Sequence, residues 1–318
     1  MAIAALSAAN ADGFFNTIRP HQDLVAEVLA HSDSRQLPVP WRPAADSPAM
    51  AELAVEADWT PPGERAPVES AYGKAALLML AAEDHLDSLS GLYRPPDAVS
   101  VFTPSVILRA LLETLGRVRW LIDPHIGVKR RVGRNMTETL HTGHHRRKSF
   151  TGEDRKAYDR DFDRESLTAW GQAKKYEVAK DKDGSWYVGE PRLGTAKAIG
   201  RLFSGSARES APGTIFRATS AVSHASIHGI LSRVELESTG GGAGSRSMAT
   251  IGTNDAVAAE NLAVALYAYV LVAVERRKLL GWASPEWDAT VDRVGRLVMK
   301  SFEPVDGHRR PTSGLYLP

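Results

Sequence analysis

Apolar positions recur at helical spacing along most of the chain, and this pattern predicts the elements. An amphipathic helix is expected over about Asn16 to His31, with Leu24, Val25, Val28 and Leu29 on one side. Seven prolines follow (Pro38, Pro40, Pro43, Pro48, Pro61, Pro62 and Pro67). They remove backbone donors and fix φ, so the stretch reads as a connector, interrupted by a short helix near Ala49 to Ala57 and anchored by Trp41 and Trp59. Helical spacing resumes over Glu69 to Leu92, Thr103 to Asp123, Val128 to about Lys148 and Glu153 to Tyr176. Strand character is confined to Tyr176 to Val188, where YEVAK and SWYV flank the turn Asp181-Lys182-Asp183-Gly184. Helices then follow over Thr195 to Phe203, Thr214 to Leu236, Asp255 to Leu280 and Pro285 to Phe302, the last with Ser284 as N-cap.

The expected fold is therefore all-α, a helical bundle with one small β-hairpin insert. Residues 1–66 form an N-terminal helix and Pro-rich connector packed on the body, 67–302 the bundle with its insert at 176–188, and 303–318 an extended tail. The apolar run Leu262 to Val274 is 13 residues long, against the roughly 20 that a membrane span needs. It reads as a core helix. No basic stretch precedes the apolar start, so a cytoplasmic protein without membrane contact is expected.

Composition narrows the chemistry. The 318 residues include no cysteine, which excludes disulfides, thiol nucleophiles and thiolate metal sites. The 39 basic and 38 acidic residues nearly cancel, but unevenly. His125 to Lys148 carries Lys129, Arg130, Arg131, Arg134, Arg146, Arg147 and Lys148 against Glu138 alone, a local charge of +6 that leaves −5 elsewhere. Lys129, Arg130, Arg131, Arg134, Arg146 and Arg147 are accordingly candidates for binding RNA or a phosphate-bearing small molecule; a solvated basic helix is the alternative. Glu138, His141 and His145 have spacings that gather ligands on one helix face. A carboxylate-bridged bundle wants a second Glu-x-x-His, which is missing, so neither metal nor cofactor is assigned. The glycine-rich loop Gly240 to Gly244 lacks the Lys-Ser/Thr of a phosphate loop.

Two helices concentrate polar groups beside an apolar face. On Thr214 to Leu236, Arg217, His224, His228 and Glu235 fall on one line beside Phe216, Ile227, Ile230 and Val234, with Ser220 and Ser223 nearby. Arg can hold an anion there and His can move a proton near neutral pH. The alternative is an interhelical polar seam. On Thr103 to Asp123, Arg109, Glu113, Arg117 and Trp120 lie opposite Leu108, Leu111, Leu115 and Ile122. They read either as i,i+4 salt bridges or, through Glu113 and Arg117, as groups that orient the His224 line.

Arg217, six residues and His224 resemble the motif of the HEPN superfamily, an Arg and a His separated by four to six residues on a bundle helix. Arg119/His125 and Arg134/His141 match the same spacing. The first straddles Pro124, and Arg217/His224 is taken as the pair on an unbroken amphipathic helix. The resemblance implies a metal-independent ribonuclease that works as a homodimer in a toxin or antiphage-defence setting, or a degenerate RNA- or nucleotide-binding relative. Its catalytic set would be Arg217 and His224, supported by His228, Glu113 and Arg117. LRALLETLGRVRWLIDP and RATSAVSHASIHG also resemble segments of actinobacterial helical proteins over about 130 residues, Ser105 to Leu236, and that likeness brings no activity. A non-enzymatic helical interaction or ligand-binding protein is the alternative.

Overall fold

The computed structural model describes residues 3–4, 8–32, 41–61, 66–94, 99–100, 102–161, 164–203, 234–237, 248–251 and 255–301. The architecture is an all-α bundle with a small β insert. Its helices are α1 (Ala8–Ala30), α2 (Pro48–Ala54), α3 (Pro67–Gly91), α4 (Thr103–Ile122), α5 (Val128–Lys148), α6 (Gly152–Asp161), α7 (Arg164–Ala173), α8 (Thr195–Phe203), α9 (Asp255–Leu280) and α10 (Pro285–Ser301). The hairpin is β3 (Val178–Lys180) paired antiparallel with β4 (Trp186–Val188), in the register Val178 to Val188.

Two further antiparallel pairs were not expected: β1 (Ile3–Ala4) with β2 (Val99–Ser100), and β5 (Val234–Glu237) with β6 (Met248–Ile251). The second corrects the helix expected to reach Leu236, because Glu235 sits in a strand opposite Thr250 and so leaves the helical line drawn through Arg217. The expected glycine-rich loop lies between these strands, outside the described residues, as does the tail 303–318. The single helix expected over Glu153 to Tyr176 is two, α6 and α7.

α9 is the centre of the bundle. It is buried on nearly every side, with Leu262, Ala263, Ala265, Leu266, Ala268 and Val272 fully enclosed. A helix apolar all round has to be surrounded by other elements. Here α1, α4 and α10 pack along it, with α2, α3 and α8 completing the shell. It is long and apolar enough to cross a membrane, but 78% of its apolar window is buried inside the protein. α1 starts eight residues before the expected Asn16, and its Ile18, Val25 and Val28 belong to the same core as α9. Trp41 and Trp59 of the connector pack on that core.

Capping chemistry sets several helix ends. Ser47 Oγ accepts from the Met50 N–H at the start of α2, and Ser284 Oγ accepts from Trp287 at the start of α10. α4 begins at Thr103; Phe102 precedes it without a side-chain cap, and Pro104 takes the first turn. α4 stops at Asp123 before Pro124. α8 crosses α4 at Gly116, where a Cβ would lie 2.4 Å from the Ala198 carbonyl oxygen. Only glycine lets these two backbones approach so closely.

Candidate functional site

The polar residues of α4 meet partners as soon as the bundle closes. Arg109 Nε donates to Glu113 Oε1 at 2.9 Å along the helix. Arg117 donates through Nε and Nη2 to the two oxygens of Glu138 on α5, at 3.2 and 3.1 Å. Arg119 reaches Glu275 of α9 at 2.8 Å and also donates to the Arg201 and Leu202 carbonyls. Trp120 is buried in the core, with the Arg134 guanidinium 5.3 Å from its ring. Of the two expected i,i+4 salt bridges, Arg109–Glu113 forms, whereas Arg117 pairs with Glu138 of α5. The expected approach of Glu113 and Arg117 to the His224 line involves residues outside the described ones.

α5 departs most from its sequence reading. It packs between α3, α4 and the hairpin, and two of its arginines, Arg131 and Arg134, have 0% exposure. Arg131 donates to both oxygens of Glu52 and to the Leu121 and Asp123 carbonyls, beneath the Tyr72 ring. Arg134 is held by Glu190, the Trp120 carbonyl and Asp123 Oδ2. Neither side chain can touch a polyanion, so their assignment to substrate binding is corrected. They are internal struts, because carboxylates from distant segments converge on them.

The other four candidates are outside but mostly engaged. Arg130 forms a two-bond pair with Glu190 at 2.9 and 2.8 Å. Arg147 pairs with Asp159, Lys129 lies over the Trp59 and Tyr176 rings, and Arg146 lies over Phe150 and Tyr158. The +6 of the linear segment is thus largely met in space by Glu52, Asp123, Asp159 and Glu190. Burial pushes the Asp123 and Glu190 carboxyls up. Around Asp123 the His125 N–H, Arg201 and Arg134 more than offset that, and around Glu190 the guanidiniums of Arg130 and Arg134 do so. Both acids stay below the usual carboxylate range. Arg134/His141 also sits on an unbroken helix, contrary to expectation, but its Arg is committed to Glu190.

The C-terminal half of α5 gathers several ionisable groups that face solvent. Thr137 fixes the hairpin against it: the Thr137 hydroxyl oxygen accepts from the Val188 N–H at 3.0 Å and lies 3.1 Å from the Val188 carbonyl oxygen. Gly133, where a Cβ would come 3.0 Å from Val188 O and Tyr176 Cε1, allows that approach. This docking carries the hairpin turn over His141 and His145. Asp183 Oδ2 stands 3.6 Å from His141 Nε2 and 3.4 Å from His145 Nε2. The two imidazole rings, one helical turn apart, have centroids 4.3 Å apart.

Glu138, the expected carboxylate of this group, is turned the other way. It is 3% exposed and clasped by Arg117 and by Arg192, whose Nε donates to it at 3.0 Å. Burial raises its pKa and the two guanidiniums lower it further, for a net depression. Arg192 also donates through Nη1 to His141 Nε2 at 3.3 Å. Burial, Arg192 and His145 together lower the His141 pKa to about 4, against Glu138 and Asp183. Asp183 and Arg192 were not anticipated. The Asp-Lys-Asp-Gly turn was legible as a turn, but its docking on α5 depends on Gly133, Thr137 and Val188, which no local pattern connects.

Arg217, His224 and His228, with Ser220 and Ser223, lie outside the described residues. No family model matches the chain, and no curated protein or solved structure matches it.

Proposed function

We propose that the chain is a HEPN-like ribonuclease that works without a metal ion, or an RNA- or nucleotide-binding relative that has lost cleavage. The observation that carries this reading is the spacing of Arg217 and His224 in an all-α chain. In that role Arg217 neutralises the charge that develops on the phosphate oxygens, and His224 handles the proton of the 2′-hydroxyl or of the leaving oxygen. His228 lies one turn beyond His224 in a helical reading and supports it. Glu113 and Arg117 meet the His224 line across the bundle in this reading and orient it. A homodimer in a toxin or antiphage-defence setting belongs to the same proposal, as do a cytoplasmic location and the absence of membrane contact.

The test is cleavage of single-stranded RNA by the full chain in EDTA. Wild type is expected to cleave, and Arg217→Ala and His224→Ala to lose on the order of a hundredfold or more in rate with unchanged circular dichroism. A wild type that neither cleaves nor binds RNA removes the reading. A second reading, a non-enzymatic helical interaction or ligand-binding protein, is favoured by the enclosure of Arg131 and Arg134 on this chain's own carboxylates. It expects Arg217→Ala and His224→Ala to lower stability instead.

A further inference from the structure

We propose that His141, His145 and Asp183 form a binding site for a divalent first-row transition metal ion of the zinc class, with at least one coordination position open to solvent. The site is independent of the ribonuclease reading, whose chemistry lies elsewhere in the chain and uses no metal.

The geometry carries the proposal. His141 and His145 are i and i+4 on α5, which puts both rings on one face, and the hairpin turn brings the carboxylate from 38 residues further along the chain. The three donor atoms lie within 4.8 Å of one another. A zinc ion about 2.0–2.2 Å from each ligand in tetrahedral geometry separates those ligands by about 3.3–3.5 Å. The two nitrogen-to-oxygen edges, 3.6 and 3.4 Å, are already near that spacing. Small rotations of the two imidazoles bring in the remaining edge.

The surroundings prepare each donor. Asp183 Oδ1 accepts from the Ser185 N–H at 2.9 Å and from its hydroxyl at 2.6 Å, which fixes the carboxylate and leaves Oδ2 facing the histidines. This is the outer-shell support that metal-binding carboxylates use. Arg192 can only donate, so the His141 nitrogen it meets carries a lone pair, and that nitrogen is the one turned toward Asp183. Ligation requires Nη1 of Arg192 to withdraw from His141, while its Nε keeps Glu138. His144 and Lys148 flank the cluster, and Arg192 links His141 to the buried Glu138.

The donor set selects the ion. Two imidazoles and one carboxylate disfavour Mg²⁺ and Ca²⁺, which take oxygen ligands. Imidazole suits zinc, cobalt, nickel and copper. His145 and Asp183 are half-exposed, so an ion has an entry path and keeps solvent in its remaining positions. Once bound, it would tie the last turns of α5 to the hairpin.

The experiment is a Zn²⁺ titration of the untagged, chelator-treated full chain by calorimetry, with Co²⁺ absorption as a report on coordination. One equivalent of Zn²⁺ is expected, together with a raised thermal midpoint and no competition from Mg²⁺. His145→Ala and Asp183→Ala are expected to weaken binding about tenfold or more, while His125→Ala, on the exposed turn before α5, leaves it unchanged. If the alanine variants fold poorly, Asp183→Asn preserves the side-chain shape and gives the same readout. Absence of stoichiometric binding in wild type, or equal affinity in wild type and the Asp183 and His145 variants, overturns the proposal.

Discussion

α4 and α5 are consecutive helices of similar length, and they solve burial in opposite ways. α4 presents Leu108, Leu111, Leu112, Leu115 and Val118 to the core and keeps Arg109, Glu113 and Arg117 toward its edge. Its burial is apolar, so its stability follows from area removed from water. α5 is just as enclosed over Arg131 to Glu138, but five of those eight residues are polar: Arg131, Arg134, Asn135, Thr137 and Glu138. Buried charge costs desolvation that only well-placed partners repay. Glu52 of α2, Asp123 at the end of α4 and Glu190 after the hairpin are those partners. One helix can be placed by its own pattern; the other is viable only in the company of three other segments.

The largest effect should come from breaking this charged layer. Arg131→Ala leaves Glu52 facing a protein interior without its guanidinium and is expected to cost about 3–5 kcal/mol, read by urea denaturation. The double change Arg131→Met with Glu52→Leu should recover much of that loss, since replacing a buried pair is far cheaper than halving it. A double variant as unstable as Arg131→Ala alone would mean that the carbonyls of Leu121 and Asp123 depend on the guanidinium more than Glu52 does.

On the apolar side, Gly116→Ala drives a methyl into the Ala198 backbone. It is expected to cost about 1–3 kcal/mol, as overpacked cores do, and to lower the thermal midpoint. An unchanged midpoint would show that α8 can shift away from α4 without loss. The smallest effect is expected at Arg130→Ala, next in sequence to Arg131. Its exposed pair with Glu190 should contribute no more than about 1 kcal/mol, and Glu190 keeps Arg134 in its absence. Similar losses for Arg130→Ala and Arg131→Ala would erase the distinction between inner and outer faces of α5.

Much of the helical framework was legible because it depends on local periodicity. The core helix α9, the Ser284 cap, the stop at Asp123-Pro124 and the β3–β4 turn follow from residues a few positions apart. The pair β5–β6 was missed because Val234 to Glu237 continues an apparent helical pattern, and its partner strand lies beyond a glycine-rich stretch. In the candidate site, the i,i+4 histidines could be read directly from the sequence. Their carboxylate could not: Glu138 has the better local spacing, but Arg117 and Arg192 claim it, and Asp183 arrives only because the hairpin docks on α5.

By itself, then, the sequence determined most of the described helices, that the chain is an all-α bundle with a small hairpin, and that any chemistry must rest on side chains other than cysteine. Tertiary structure decided what the charges do. Helical phase depends on residues three or four apart, whereas a Coulombic partner can come from anywhere in the chain. Arg131 and Glu52 are 79 positions apart, and His145 and Asp183 are 38. In the basic segment, Arg130, Arg131, Arg134 and Arg147 are thus paired with carboxylates once the chain is folded, and a His-His-Asp cluster stands at the open end of the helix.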